Sequence, residues 1–175
     1  LIRGMDLTAV AAAPGVLRVM TAEDVPGFND CSPVAHDDPI FAVEKVSYVG
    51  QSVFAVVAEN MTAARSALPL AHIDYDPLPA ILTIDAAMEA SSFHGPPAQM
   101  KKGEPDEHLA SASRKLSGRL YCGGQEHFYL EGQAALAIPG EDGDMLVHAS
   151  TQHPSEIQHK IATVLGTGNN AVTVE

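Results

Sequence analysis

The sequence predicts an α+β fold with mainly antiparallel strands, and three observations carry that expectation. Short runs of period-two alternation, such as "AHIDY" and "NAVTVE", stand beside short segments of helical character. Pro and Gly stop the predicted elements at Pro14-Gly15 and Pro26-Gly27, and Gly95-Pro96-Pro97 breaks any regular element. Apolar residues make up 46% of the 175 and charged residues 18%, a composition able to bury a core.

The first half reads helix, strand, strand, strand, helix, strand, helix. "DLTAVAAAPGV" is a short helix capped by Asp6 and stopped by Pro14-Gly15. "VLRVMTA" is a strand, and "TAEDVPG" is a single turn with an N-terminal capping signature. Residues 28–40 are a polar loop. "KVSYVGQSVFAVVAEN" offers two strands about a turn at Gly50-Gln51, and "MTAARSALPLA" is an Ala-rich helix. "AHIDYDPLPAIL" is a half-buried strand whose end Pro77 and Pro79 confine to a sheet edge. "TIDAAMEA" is a helix capped by Thr83.

From about residue 89 the character changes, and 89–103 reads as a linker between residues 1–88 and a second unit, 104–175. There "EPDEHLASA" is a helix with Pro105 in its first turn. "RKLSGRLYCGG" alternates like a strand. "GQAALAIPG" and "DMLVHAST" are strands joined by the acidic turn "PGEDGD". "HPSEIQHKIATVLG" is the clearest helix, with Ile157, Ile161, Val164 and Leu165 in one stripe and Gly166 stopping it. Strand "AVTVE" follows. The start at Leu1 and the stop inside an alternating run lead us to expect a piece of a longer chain.

The net charge of −12, without a basic stripe, argues against nucleic-acid binding. No apolar run reaches the roughly 18 residues of a membrane span. No secretion signal is visible, so the expected location is the cytoplasm. Cys31 and Cys122 form no metal-ligand spacing and read as buried free thiols, with a disulfide between them left open.

Catalytic motifs are scarce. Gly166, Gly168 and Ala171 spell a dinucleotide fingerprint on paper, but they close a helix instead of opening one, so a helix cap is the better reading. His153 and His159 lie six apart, about 240° around a helix, and would not face one ion. No nucleophile motif occurs. Glu126 and Glu131 stay open as carboxylates for acid–base work. The densest stretch is "YCGGQEHFYLE", 121–131. Here Gln125 has two readings: an amide satisfying backbone groups in a glycine turn, or a donor to a bound oxygen acceptor, with Gly123 and Gly124 allowing close approach.

"GGQEHFYLE" resembles the motif that opens the molybdenum-cofactor domain of the xanthine dehydrogenase and aldehyde oxidase family. "PGVLRVMTAEDVPG", "VSYVGQSVFAVVAE", "IDYDPLPAILTIDAA" and "STQHPSEIQHKIATVLG" resemble its large subunit in the same order, covering essentially the whole chain. "LEGQAALAIP" and "QHPSEIQHK" look closest to bacterial members whose molybdenum subunit is a separate chain. The resemblance implies an α/β-hammerhead domain at 1–88, its first strands missing, and the truncated start of a molybdenum-cofactor-binding domain at 104–175. It also implies that Gln125 hydrogen-bonds an oxygen ligand of molybdenum, with Gly123 and Gly124 beside it, and that no catalytic residue lies in this stretch.

The implied chemistry is hydroxylation of purines such as hypoxanthine and xanthine with oxygen from water. Electrons would leave through Fe–S clusters and FAD of a partner subunit to NAD. The expected cofactor is molybdopterin, and the expected partners are that Fe–S/FAD subunit, the remainder of the large subunit and a small purine, in a hetero-oligomer. The family's glycine- and phenylalanine-rich loop, substrate-orienting arginine and catalytic glutamate are not among these residues. The chain alone is therefore expected to be inactive. An aldehyde or heterocycle hydroxylase subunit and a non-catalytic partner-binding module are the alternatives.

Overall fold

The computed structural model describes residues 1–175 and is mixed α and β. The chain forms two compact units, one made of Leu1–Leu78 with Glu131–Glu175 and the other of Pro79–Leu130.

In the first unit, strand β1 (Ile2–Asp6) leads into helix α1 (Thr8–Ala11). The Asp6 carboxylate accepts from the Thr8 N–H at 2.9 Å, so Asp6 serves the helix start as its sequence suggests. Pro14-Gly15 ends the turn, with Gly15 at φ 77°, and strand β2 (Val16–Met20) follows. Thr21 and Asp24 make a reciprocal capping box over the single 3-10 turn Ala22–Asp24. Strand β3 (Ala55–Ala58) pairs antiparallel with β2. Asn60 then caps helix α2 (Met61–Ala67), accepting from Ala63 N–H at 2.9 Å. Strand β4 (His72–Tyr75) runs back along β1, antiparallel, with a register irregularity between Ile2 and Gly4. Val10 of α1 and Ala67 of α2 are fully buried and form the small core here.

Between β2 and β3 lies a long loop tied by its own side chains. Asn29 grips Phe41 twice, donating to its carbonyl at 2.7 Å and accepting from its N–H at 2.9 Å. The thiol of Cys31 donates to the Asp38 carbonyl at 3.2 Å. Asp30 accepts from the Ser32 hydroxyl at 2.5 Å and lies 2.6 Å from His36 Nδ1.

The pairs β1–β4 and β2–β3 are separate two-stranded sheets, and the same unit holds a third sheet of three strands. Strands β5 (Ala135–Pro139) and β6 (Met145–Ala149) form a hairpin through a turn at Glu141–Gly143. Helix α5 (Pro154–Leu165) crosses over, and strand β7 (Val172–Val174) joins β6 in parallel. Val147, Ala162 and Val172 are buried beneath α5. In the other unit, Thr83 caps helix α3 (Ile84–Glu89), accepting from Ala86 N–H at 3.2 Å, and Pro105 opens helix α4 (Pro105–Ser111).

Four expectations need correction. The chain opens on strand β1, not on a helix. Gly4 breaks the alternation of "IRGMD", and the strand exists only through pairing with residues about seventy positions away. Only one of the two strands expected at 45–58 forms. Ser47 N–H donates to the Gln51 side chain at 2.7 Å, which makes a turn of what read as a strand end. No helix or strand forms between Ser111 and Ala135, so "RKLSGRLYCGG" is not a strand. Both cysteines are free and exposed, not buried, because one sits on a polar loop and the other on the irregular 112–134 stretch. No helix is long and apolar enough to cross a membrane.

Candidate functional site

The stretch 121–131 forms no helix or strand and is exposed along its length, with Tyr121 at 85% and Leu130 at 90% of full exposure. Its local order is slight. Phe128 holds φ 50°, and its N–H reaches the Glu126 carboxylate at 3.4 Å. Gln125 makes no hydrogen bond within the chain, so it does not satisfy backbone groups in a turn. Nothing lies within 4 Å of where a Cβ would stand on Gly123 or Gly124, and neither has a positive φ. The glycines therefore leave open backbone beside an unpaired amide donor.

No group of three or more His, Cys, Asp or Glu side chains gathers to ligate a metal. Gln125 offers an amide donor and the two glycines offer open backbone, a donor set that can meet oxygen acceptors. Glu126 and Glu131 are exposed. The three carboxyls with a perturbed acidity all shift down. The Thr8 backbone N–H lowers Asp6, the Arg18 guanidinium lowers Asp24, and the Ser32 hydroxyl followed by His36 lowers Asp30 to about 2. Acid–base work near neutrality calls for a raised carboxyl instead.

Two grooves flank the β5–β6 hairpin. One, of about 550 Å³, lies between Val147 and Ile157 and Ile161 of α5. The other, of about 390 Å³, is lined by Leu136, His148 and Glu175, with His148 Nδ1 3.5 Å from the Glu175 carboxylate. Ser150 also lines both grooves, but its hydroxyl is tied to the Ala134 backbone, accepting from the N–H at 2.8 Å and donating to the carbonyl at 3.2 Å. Gly166, at φ 67°, caps the end of α5, and Thr167 N–H reaches back to the Ala162 carbonyl at 2.9 Å, which accounts for the glycine pattern there as a helix cap.

The sequence did not reveal the Asp30–Ser32–His36 cluster or its link to α5, where Lys160 Nζ donates to the Ser32 carbonyl. That contact spans 128 positions, and no local periodicity signals it.

Comparison with known proteins adds the following. Residues 1–79 match the family model for the aldehyde oxidase and xanthine dehydrogenase a/b hammerhead domain, and residues 89–175 match that for the molybdopterin cofactor-binding domain. The chain is 39% identical over 174 residues to xanthine dehydrogenase/oxidase of Mus musculus, covering 99% of this chain and 13% of that protein. It is 39% identical over 171 residues to aldehyde oxidase 2 of Cavia porcellus, covering 97% and 12%. The solved aldehyde oxidoreductase of Desulfovibrio gigas superposes with a TM-score of 0.81 at 27% identity, over 99% of this chain and 21% of that one. The chain thus spans about an eighth of the length of these curated relatives.

Proposed function

The chain belongs to the xanthine dehydrogenase and aldehyde oxidase family, and from that premise we propose that it serves a molybdenum hydroxylase acting on purines such as hypoxanthine and xanthine. The observation that carries the reading is the 39% identity to a xanthine dehydrogenase/oxidase across 174 residues. The bound molybdopterin group supplies the oxygen insertion and accepts two electrons.

This chain's own part is to hold and orient that group. Gln125 would donate from its amide to an oxygen of the group, and Gly123 and Gly124 would admit it close to the backbone. The exposed, unpaired state of Gln125 supports this assignment. Fe–S clusters and FAD of a partner subunit would receive the electrons, in a hetero-oligomer. Two free, exposed thiols suit a reducing, cytoplasmic setting. The isolated 175 residues should not turn over xanthine even with cofactor supplied.

A second reading has its own support. The identity to an aldehyde oxidase is also 39%, and it supports an aldehyde or related heterocycle as substrate equally well. The test is to produce the full subunit with its partner and assay xanthine beside an aromatic aldehyde. Preference for the aldehyde overturns the purine reading. Gln125→Ala should lower molybdenum and pterin content per subunit, read by metal analysis and pterin fluorescence. Unchanged content with unchanged turnover removes Gln125 from the site.

A further inference from the structure

We propose that the loop 26–32 is a clasp on the C-terminal end of helix α5, one that keeps residues 1–78 and 131–175 a single body without a continuous chain between them. The last carbonyls of a helix lack partners within it. In α5 the loop meets two of them: Gly27 N–H donates to Val164 O at 2.8 Å, and Phe28 N–H to Thr163 O at 3.1 Å, beside a longer bond to Thr163 O from the capping Gly166 N–H at 3.3 Å. One turn earlier Lys160 Nζ donates to the carbonyl of Ser32, which is 1% exposed.

The clasp is rigid on its own side. Ser32 is tied to Asp30, Asp30 to His36, and Asn29 to Phe41. Gly27 is required at its position. A Cβ there would stand within contact distance of Thr163 O and 2.7 Å from Gly166 N, both backbone atoms that cannot swing aside. None of these contacts involves Gln125 or a cofactor.

The test uses the whole chain with a site-specific protease sequence in place of residues 112–118, which are exposed and outside any helix or strand. After cleavage the two pieces should co-elute on size exclusion, and in the uncut chain the Gly27 and Phe28 amides should exchange hydrogen as slowly as those inside α5. In Gly27→Val the cut pieces should separate. Lys160→Met, which keeps the stem and removes the donor, should shorten the lifetime of the cut complex roughly tenfold, and it decides the matter if Gly27→Val does not fold. Separation of the unaltered pieces, fast exchange at Gly27, or cut complexes of both variants as durable as the parent would overturn the clasp.

Discussion

Gln158 of α5 donates through Nε2 to the Val172 carbonyl at 2.7 Å and to the Asn169 carbonyl at 3.0 Å. One amide thus holds the crossover helix to the start of β7, the strand that it delivers into the sheet. Gln158→Leu should leave both carbonyls without that partner and lower stability by roughly 2 kcal/mol. Urea unfolding should show a lower midpoint with an unchanged slope. An unchanged midpoint would mean that α5 is held by its apolar stripe alone.

Elements whose signals are local were legible in the sequence. Thr83 and Thr21 were recognisable as caps, Pro154 and Gly166 as the ends of α5, and "PGEDGD" as a hairpin turn, because each acts on residues within a few positions. Strand β1 was not, since its hydrogen bonds come from β4. Nor was the Lys160–Ser32 contact. Gln125 and its glycines stood out by composition, but a cofactor contact is defined by what lies opposite it, and no periodicity along the chain encodes that.

Gly15 joins α1 to β2 at φ 77°, and an added Cβ would meet the Ala63 Cβ at 3.0 Å. Its carbonyl also accepts from Glu59 N–H at 2.8 Å, so the backbone cannot easily relax. Gly15→Ala should cost about 1–2 kcal/mol through left-handed strain, with crowding against α2 added. Thermal unfolding of this variant beside Gly118→Ala, where nothing lies within 4 Å, separates that strain from a general glycine effect. Equal melting temperatures for the two would refute it.

Acid should destabilise the chain through Asp30. Its folded pKa lies at about 2 against an ordinary 3.8. A depressed carboxyl contributes stability that is present above the unfolded value and lost as pH falls towards the folded one. The window is therefore about pH 4 down to 2, and Asp24 and Asp6, also lowered, add to it in the same direction. Melting temperatures followed by circular dichroism should fall across this range, and Asp30→Asn should flatten the fall. A variant with the parent's full acid slope would assign the effect to other carboxyls.

The two thiols should react at different rates although both are exposed. Cys31 donates to the Asp38 carbonyl at 3.2 Å, and its pKa is raised by burial first and by the nearby Asp38 and Asp30 charges next. Thiolate is the reactive form, so at pH 8 fewer Cys31 side chains are available at any instant. Cys122 has no such hydrogen bond and lies on the irregular 112–134 stretch. Alkylation followed by mass mapping should modify Cys31 more slowly than Cys122. Raising the pH should narrow the gap as Cys31 ionises. A faster Cys31 would mean that the 29–41 loop opens on the labelling timescale, and its ties through Asn29 and Asp30 would then be weaker than their distances imply.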